Sequence, residues 1–272
     1  MIIGNKFFDT KNNCYIMGIL NVTPDSFSDG GKYNSLDKAL FRVEKMITDG
    51  ADIIDIGGES TRPNHTKISI SEEINRVAPI IKKIKENFDI PISLDSYKAD
   101  VIEANINQID LINDIWGLKY DPKMAALIAK SKLPCCLMHN RKTNDYTNFF
   151  ADFIKDMQET LALAKKAGIN KDQIILDAGV GFQKSYNQNL EVINKTEKLV
   201  ELTYPVMIAT SRKSVIGLTV DKPVEERIYG TIATTVVGIM KGASFVRVHE
   251  INENYDAIKM TKSILEERLW TK

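Results

Sequence analysis

The stretch YIMGILNVTPDSFSDGG, residues 15–31, joins an apolar run to a long polar loop. Residues 15–20 have the length and composition of a buried strand. The residues that follow are turn-forming types and continue as far as Asn34. A loop this long is uncommon in a compact domain unless it is a lid or a binding loop, and a solvated linker is the alternative. The same order, an apolar strand and then a polar loop, recurs along the chain.

Short apolar runs alternate with longer segments of helical period from Cys14 onward. Several runs are apolar throughout, as expected for strands covered on both faces. The pattern predicts strands over residues 15–20, 52–56, 90–94, 111–113, 135–138, 173–176, 206–209 and 245–248.

The intervening segments carry apolar residues three and four positions apart, which predicts helices with one face on a core. The first two stripes cover residues 36–47 and 74–88. Later helices are predicted over residues 98–107, 123–131, 148–166, 189–202, 224–241 and 253–269. Sequence signals for helix ends are a possible capping box at Ser69 and Glu72, the pair Asp121 and Pro122, and Gly50, Gly168 and Gly242.

Eight alternating strand and helix units define the predicted fold class, an α/β chain folded as a (β/α)8 TIM barrel. Residues 1–13 are left over and are predicted to form a short N-terminal hairpin. A doubly wound open sheet is the alternative, but no GxGxxG motif follows the first strand. Because the sequence has no Pro/Gly-rich linker and no other repeat, residues 1–272 are predicted to be a single domain.

The composition excludes several function classes. Of 272 residues, 36 are basic and 36 acidic, so neither a nucleic-acid nor an anionic-membrane partner is supported. The N-terminus has no secretory pattern and no apolar stretch approaches bilayer length, which predicts a cytoplasmic protein. The three cysteines, Cys14, Cys135 and Cys136, are predicted to be small buried hydrophobes rather than a disulfide framework. The three histidines show no metal-ligand spacing.

Polar side chains stand at or just beyond the predicted carboxyl ends of all eight strands. In a closed barrel these ends open into one mouth. The residues are Asn21; Asp55, Glu59, Thr61 and Arg62; Asp95; Asn113 and Asp114; His139; Asp177; Ser211, Arg212, Lys213 and Ser214; and Arg247, His249 and Glu250. A single one can be a helix cap or an Asx turn. Because charged groups in a recess need partners or a ligand, the whole set predicts a ligand-binding mouth.

One part of this set suits a flat heterocycle. Asp95, Asn113 and Asp177 supply acceptors and an amide donor for a ring that presents several N–H groups on one edge. Lys213 can donate to the ring carbonyl.

A second part is cationic and suits a phosphate or a pyrophosphate. Arg62, Arg247 and His249 lie beside Asn21 in the predicted mouth, and arginine is a bidentate donor to such anions. The alternative for each arginine is an ion pair with a neighbouring glutamate.

Six motifs, taken together, resemble those of the dihydropteroate synthases, folate-pathway enzymes that are the targets of sulfonamides. They are GILNVTPDSFSDGG (18–31), DIGGESTRP (55–63), LDSY (94–97), INDI (112–115), SRKS (211–214) and RVH (247–249). The resemblance covers nearly the whole chain. It implies a transferase that condenses 6-hydroxymethyl-7,8-dihydropterin pyrophosphate with 4-aminobenzoate by a dissociative, SN1-like displacement. It also implies a homodimer.

The same resemblance implies roles for individual residues. The pterin would be held by Asp95, Asn113, Ile115, Met138, Asp177, Phe182 and Lys213. The pyrophosphate would be bound by Asn21, Thr61, Arg62, Arg247 and His249, with Mg²⁺ on Asn21. The 4-aminobenzoate pocket would be shaped by Phe27, Pro63 and Ser214. The residues implied to be catalytic are Asn21, Asp95, Lys213, Arg247 and His249.

The chain departs from the family pattern at a few positions. After the sixth strand the pattern is usually DPGIGFGK, whereas residues 177–184 read DAGVGFQK. Ala178 and Gln183 therefore replace a residue of fixed φ and a conformationally permissive one, which leaves the loop conformation open. Glu250 replaces an aspartate and Asn64 a glycine, and neither removes an implied ligand.

Two other functions compete with the synthase. A methyltetrahydrofolate:corrinoid methyltransferase shares a pterin-binding barrel but binds no pyrophosphate, so the cationic residues favour the synthase. A pterin-binding paralogue without synthase activity is the second. For the synthase, residues 22–31 are predicted to be a lid that orders when substrates bind.

Overall fold

The computed structural model describes residues 1–22, 32–60 and 66–271, and for residues 32–35 it describes the backbone alone. The chain begins with a two-stranded antiparallel hairpin of β1 (Ile2–Ile3) and β2 (Lys6–Phe7). Ile3 and the following Phe8 are buried. The hairpin predicted for residues 1–13 is therefore present, with Ile3 and Phe8 packed against the barrel while Ile2 and Phe7 are exposed.

The eight remaining strands form a closed parallel barrel. They are β3 (Tyr15–Asn21), β4 (Ile53–Gly57), β5 (Ile92–Asp95), β6 (Leu111–Asp114), β7 (Cys135–Met138), β8 (Ile174–Asp177), β9 (Val206–Ile208) and β10 (Phe245–Val248). Each pairs with the next along the chain, and β10 closes the ring on β3, with Phe245 opposite Tyr15. The predicted (β/α)8 TIM barrel is confirmed.

Several strands continue one residue further than the apolar pattern predicted. Asn21, Asp95 and Asp177 are the last residues of their strands rather than the first residues of loops. The reason is pairing across the ring, since Asn21 pairs with Gly57, and Gly57 with Asp95. The backbone of these polar residues is thus fixed by the sheet.

Helices follow the strands around the barrel. They are α1 (Lys32–Thr48), α2 (Ile70–Asn87), α3 (Ala99–Asn105), α4 (Met124–Ser131), α5 (Phe149–Ala167), α6 (Tyr186–Asn194), α7 (Thr196–Val200), α8 (Ser214–Val220), α9 (Ile228–Met240) and α10 (Ile251–Glu266). Ser69 caps α2 by accepting from the backbone N–H of Glu72, and Gly168 ends α5 with a φ of 86°. No helix in the described part of the chain has the length and apolarity needed to cross a membrane.

Two helical segments differ from the prediction. The helix predicted over residues 189–202 is two helices, α6 and α7, that meet at Lys195, where the backbone leaves helical geometry. The short helix α8 was not predicted, because residues 214–220 are too few to show a period.

The barrel interior changes from apolar to polar along the strands. Its amino end is filled by a buried cluster that takes at least one side chain from seven strands: Ile3, Phe8, Tyr15, Met17, Ile53, Leu111, Cys136, Ile175, Met207 and Phe245. Side chains two residues apart share one face of a strand. The next inward positions are therefore the polar residues Asp55, Asn113, Asp177 and Arg247. This alternation places a set of charged groups on top of an apolar floor.

Candidate active site

Arg247 lies at the centre of the polar end of the barrel. Its Nε donates to Asp55 Oδ2 at 2.6 Å, and its Nη2 donates to Asp95 Oδ2 at 2.7 Å. Asn113 Nδ2 also donates to Asp55 Oδ2, at 3.2 Å. One guanidinium is therefore shared by two carboxylates, whose side chains are 0% and 7% exposed.

The shared arginine sets the electrostatics of this cluster. Burial raises the pKa of Asp95 to about 7, although Arg247 opposes the rise, and the carboxylate of Asp55 adds to it. Burial acts against the charge on Arg247, but Asp55 and Asp95 outweigh it and raise the pKa of Arg247. Two carboxyl groups share one guanidinium, so acceptor oxygens outnumber the donors that Arg247 supplies, which favours ligand N–H donors.

Asp55 belongs to this cluster; the sequence placed it in the predicted mouth but assigned it no ligand. Its Oδ1 is buried and has no hydrogen-bond donor among the described residues. A buried acceptor without a hydrogen bond lowers the stability of the fold, so a bound ligand or a water molecule is expected to donate to it. The sequence signal that could have indicated its role is its spacing from Ile53: residues two positions apart in a strand share one face, and Ile53 points into the barrel.

The loop after β8 brings Asp177 and Lys213 to the same side of the mouth. The backbone N–H of Gly179 donates to Asp177 Oδ1 at 2.8 Å. Lys213 Nζ donates to the carbonyl oxygen of Val180 at 2.5 Å and lies 4.9 Å from the ring centroid of Phe182. Burial raises the pKa of Asp177 and lowers that of Lys213 to about 8.

An apolar wall stands beside these polar groups. Tyr97, Ile115 and Met138 form a buried cluster, and the partly buried Trp116 and Phe182 pack against it. The structure thus brings together Ile115, Met138 and Phe182, three of the predicted pterin contacts. A polar edge next to an apolar wall suits a flat heterocycle.

His249 and Glu250, which follow β10, contact Ser211 and Arg212. Ser211 Oγ lies 2.8 Å from His249 Nδ1 and accepts from the His249 backbone N–H at 3.2 Å. Glu250 accepts from Arg212 Nε at 2.5 Å. Arg247 is therefore paired with aspartates rather than with Glu250, the alternative considered from the sequence. Ser214 is exposed at the first turn of α8.

Asn21 is exposed at the end of β3, next to Gly57 of the neighbouring strand. A Cβ atom on Gly57 would lie 3.9 Å from both Asn21 Oδ1 and Asp95 Oδ2. The missing side chain therefore leaves room where these two strand ends meet. In the described residues, no three His, Cys, Asp or Glu side chains are grouped as a metal site.

Several predicted site residues fall outside the described residues. These are Phe27, Thr61, Arg62 and Pro63, and the departure at Asn64 falls there too. The predicted lid over residues 22–31 lies outside as well, apart from Val22.

The described site offers buried acceptors for ring N–H groups, a lysine and an arginine as donors, and an apolar wall, a combination that suits a flat, nitrogen-rich heterocycle. The family model described as pterin binding enzyme matches residues 17–249. The chain belongs to this family, and it is therefore an enzyme with the fold of the pterin-binding barrels.

Within the family, the similar proteins are dihydropteroate synthases, which are transferases. The dihydropteroate synthase of Clostridium beijerinckii is 57% identical over 97% of this chain and 99% of its own length. That of Bacillus subtilis is 50% identical over 94% of this chain and 90% of its own. A crystal structure of the Clostridium difficile enzyme with pteroic acid is 47% identical, with a TM-score of 0.92 over 95% of this chain and 99% of that one. The Xanthomonas albilineans enzyme, solved with 4-aminobenzoic acid, is 34% identical, with a TM-score of 0.89 over 93% and 94%.

Proposed function

We propose that this chain condenses 6-hydroxymethyl-7,8-dihydropterin pyrophosphate with 4-aminobenzoate to give 7,8-dihydropteroate and pyrophosphate. The observation that carries the proposal is the buried cluster in which Asp95, Asn113 and Asp177 surround the mouth with Arg247 and Lys213 as donors. The homologous synthases, up to 57% identical, support it.

The first task of the site is to hold the pterin. Asp95, Asn113 and Asp177 accept hydrogen bonds from the ring N–H groups, and Lys213 donates to the ring carbonyl. Ile115, Met138 and Phe182 pack on the face of the ring. Asp55 accepts an N–H group or anchors Arg247, because its Oδ1 is otherwise without a donor among the described residues.

The second task is to stabilise the departing pyrophosphate. Arg247 and His249 supply donors from the described part of the site, and Thr61 and Arg62 are proposed to join them from the second loop. Positive charge aimed at a developing anion in a site sheltered from water is worth several kcal/mol. To donate to the phosphate, Arg247 would have to give up its hydrogen bond to Asp55 or to Asp95.

Asn21 fits the proposed Mg²⁺ because it offers a side-chain oxygen at an open position near Asp95 Oδ2. Mg²⁺ is commonly bound by one or two protein oxygens together with substrate phosphates and water, so a full protein cage is not needed. When bound, the ion neutralises charge on the pyrophosphate.

The bond changes need no protein nucleophile. The C–O bond to the pyrophosphate breaks and leaves positive charge on the pterin methylene, which the electron-rich ring shares. The amine nitrogen of 4-aminobenzoate then donates its lone pair to this carbon, and the anilinium proton is lost to solvent. We propose Phe27, Pro63 and Ser214 for the pocket that orients this amine.

We further propose that the chain acts in the cytoplasm as a homodimer of single-domain subunits. Helices α8, α9 and α10 expose large apolar side chains, including Leu218 at 69%, Tyr229 at 82% and Ile264 at 62%. An apolar surface of this kind is typical of an interface between subunits.

One assay tests the proposed reaction. Purified protein is incubated with the pterin pyrophosphate, Mg²⁺ and 4-aminobenzoate, while dihydropteroate is followed by chromatography and pyrophosphate by its release. Equal amounts of both products are expected. Tight pterin binding without product would contradict the proposal and support the paralogue, and methyl transfer from methyltetrahydrofolate to a corrinoid would support the methyltransferase.

A further inference from the structure

A second group of charged side chains lies beside the site, between the ends of β7 and β8. At its centre, Lys184 Nζ lies 2.9 Å from His139 Nδ1. It also donates to the carbonyl oxygens of Gly179 at 2.9 Å and Phe182 at 3.1 Å. An ammonium group has three N–H donors, so these three acceptors use all of them. Lys184 therefore has no donor left for a substrate.

The histidine end of this contact is itself fixed. His139 Nε2 lies 2.9 Å from Asp156 Oδ2, and the two side chains are 1% and 11% exposed. Arg141 holds the same carboxylate through Nε at 2.6 Å and Nη2 at 3.1 Å. Because Nδ1 faces an ammonium and Nε2 faces a carboxylate, His139 is neutral with its proton on Nε2. Burial, together with Lys184, lowers the pKa of His139 to about 4, although Asp156 opposes the shift.

The loop between Asp177 and Lys184 connects this group to the pterin pocket. Two of its carbonyl oxygens, those of Gly179 and Phe182, bind Lys184. A third, that of Val180, binds Lys213. The two lysines thus bind the same short turn, one from the proposed pterin pocket and one from the His139 side.

The turn also depends on a close approach between two strand ends. Gly179 has a φ of 64°, and a Cβ atom there would lie 2.0 Å from the carbonyl oxygen of His139. The backbone N–H of His139 donates to the carbonyl oxygen of Asp177 at 2.9 Å. Movement of His139 would therefore displace Gly179, whose backbone N–H binds the Asp177 carboxylate.

We propose that Lys184 is a positioning residue for the pterin pocket, held in place by the His139, Asp156 and Arg141 chain. It acts through the turn 179–182, which sets the position of the Gly179 N–H that binds the Asp177 carboxylate, of the Phe182 ring and of the carbonyl that binds Lys213. The proposal rests on the proposed function, because pterin binding is what the turn serves.

The variant Lys184→Met tests this role, since it keeps an unbranched side chain one atom shorter than lysine and removes the donors. We expect the KM for the pterin pyrophosphate to rise about 10-fold or more, because small displacements of binding groups are costly, whereas the KM for 4-aminobenzoate stays within about 2-fold. Lys198→Met is the matched control, since Lys198 forms only an exposed pair with Glu201 and should leave both constants unchanged.

A double-mutant cycle with Lys213→Met separates positioning from a general loss of structure. If Lys184 acts through the turn that binds Lys213, the rise in the KM for the pterin pyrophosphate in the double variant should be smaller than the product of the rises in the two single variants. Strictly multiplicative effects, an equal rise in both KM values, or a folded Lys184→Met with an unchanged pterin KM would each overturn the proposal.

His139→Leu provides a second route if Lys184→Met does not fold, as judged by thermal melting. It removes one of the three acceptors of Lys184 and should also raise the KM for the pterin selectively. An unchanged KM would overturn the proposal. A wild-type protein without synthase activity would instead refute the proposed function, so the two failures are distinguishable.

Discussion

At the scale of single residues, the site depends on how charge is shared around Arg247. Asp55 and Asp95 both accept from this guanidinium, and both carboxylates are buried. Removing one partner of a buried ion pair leaves the other without compensation. Arg247 therefore stabilises the fold as well as the proposed transition state.

We expect Arg247→Ala to lower kcat/KM by about 100-fold or more, because an electrostatic donor is lost. The free energy of unfolding should fall by about 3 to 5 kcal/mol, since two buried carboxylates lose their counter-ion. Steady-state kinetics and urea unfolding measure the two effects. Arg268→Ala, at an exposed arginine, is the control and should change neither. Wild-type kinetics in Arg247→Ala would refute the proposed site.

The neutral state of His139 predicts a pH dependence of stability. Its pKa is 6.5 unperturbed and about 4 in the folded chain. As the pH falls from 6.5 to 4, the unfolded chain binds a proton that the folded chain does not, so stability is lost over this range. This contribution amounts to about 3 kcal/mol by the standard conversion of a pKa shift.

Urea unfolding of wild type and His139→Leu at pH 7 and pH 4.5 measures this contribution. Asp95 and Asp114 have raised pKa values and act in the opposite direction, because their folded forms bind protons first. The comparison between the two proteins cancels these carboxylates. We expect the wild type to lose more stability than the variant, and parallel losses would contradict a neutral His139.

At the scale of elements, the loop after β8 shows how the chain accommodates a departure from its family pattern. Gln183 stands where glycine is usual and has a φ of 42°, in the left-handed region. The Tyr146 hydroxyl donates to its carbonyl oxygen at 3.2 Å, and Lys184 holds the carbonyl before it. The loop conformation is thus retained by hydrogen bonds at some cost in backbone strain.

We expect Gln183→Gly to raise the free energy of unfolding by about 0.5 to 1 kcal/mol. Left-handed backbone costs a non-glycine residue about 1 to 2 kcal/mol, and the greater freedom of glycine when unfolded offsets part of the gain. Gln108→Gly is a matched control, since Gln108 lies in a turn without a positive φ and should lose stability. Urea unfolding distinguishes them, and a loss in both would show that Gln183 is unstrained.

The strands were predicted well because short apolar runs of three to six residues have few alternatives next to turn signals. The ends of the strands were not predicted correctly. Asn21, Asp95 and Asp177 belong to their strands only because they pair with neighbouring strands of the closed barrel. The break at Lys195 between α6 and α7 is a local change of backbone geometry, and the apolar spacing continues across it. It was therefore not visible in the periodicity of residues 189–202.

At the scale of the whole molecule, barrel topology alone predicted that eight strand ends converge. It did not predict which side chains contact one another. The bond from Arg247 to Asp55 joins residues 192 positions apart, and its geometry depends on strand register. For this reason the sequence analysis grouped Arg247 with the phosphate-binding residues rather than with Asp95 and Asp177, and it assigned Asp55 no ligand.

The exposed apolar side chains of α8, α9 and α10 predict a dimer that charge can disrupt. Tyr229→Glu places a carboxylate on the exposed face of α9, where Tyr229 is 82% exposed. We expect the wild type to sediment as a dimer and the variant as a monomer. Phe7→Glu on the hairpin, at 73% exposure, is the control and should leave the dimer intact. A monomeric wild type would refute the dimer.

The last strand of the barrel supplies the one guanidinium shared by Asp55 and Asp95. During synthesis, β4 and β5, the strands that carry these aspartates, leave the ribosome well before β10, since Asp55 and Asp95 precede Arg247 by 192 and 152 residues. Until β10 arrives, both sheet edges at β3 and β9 are open and the two carboxylates cannot be buried at low cost. We therefore expect the barrel to close, and the polar end of its interior to form, only after β10 has been made.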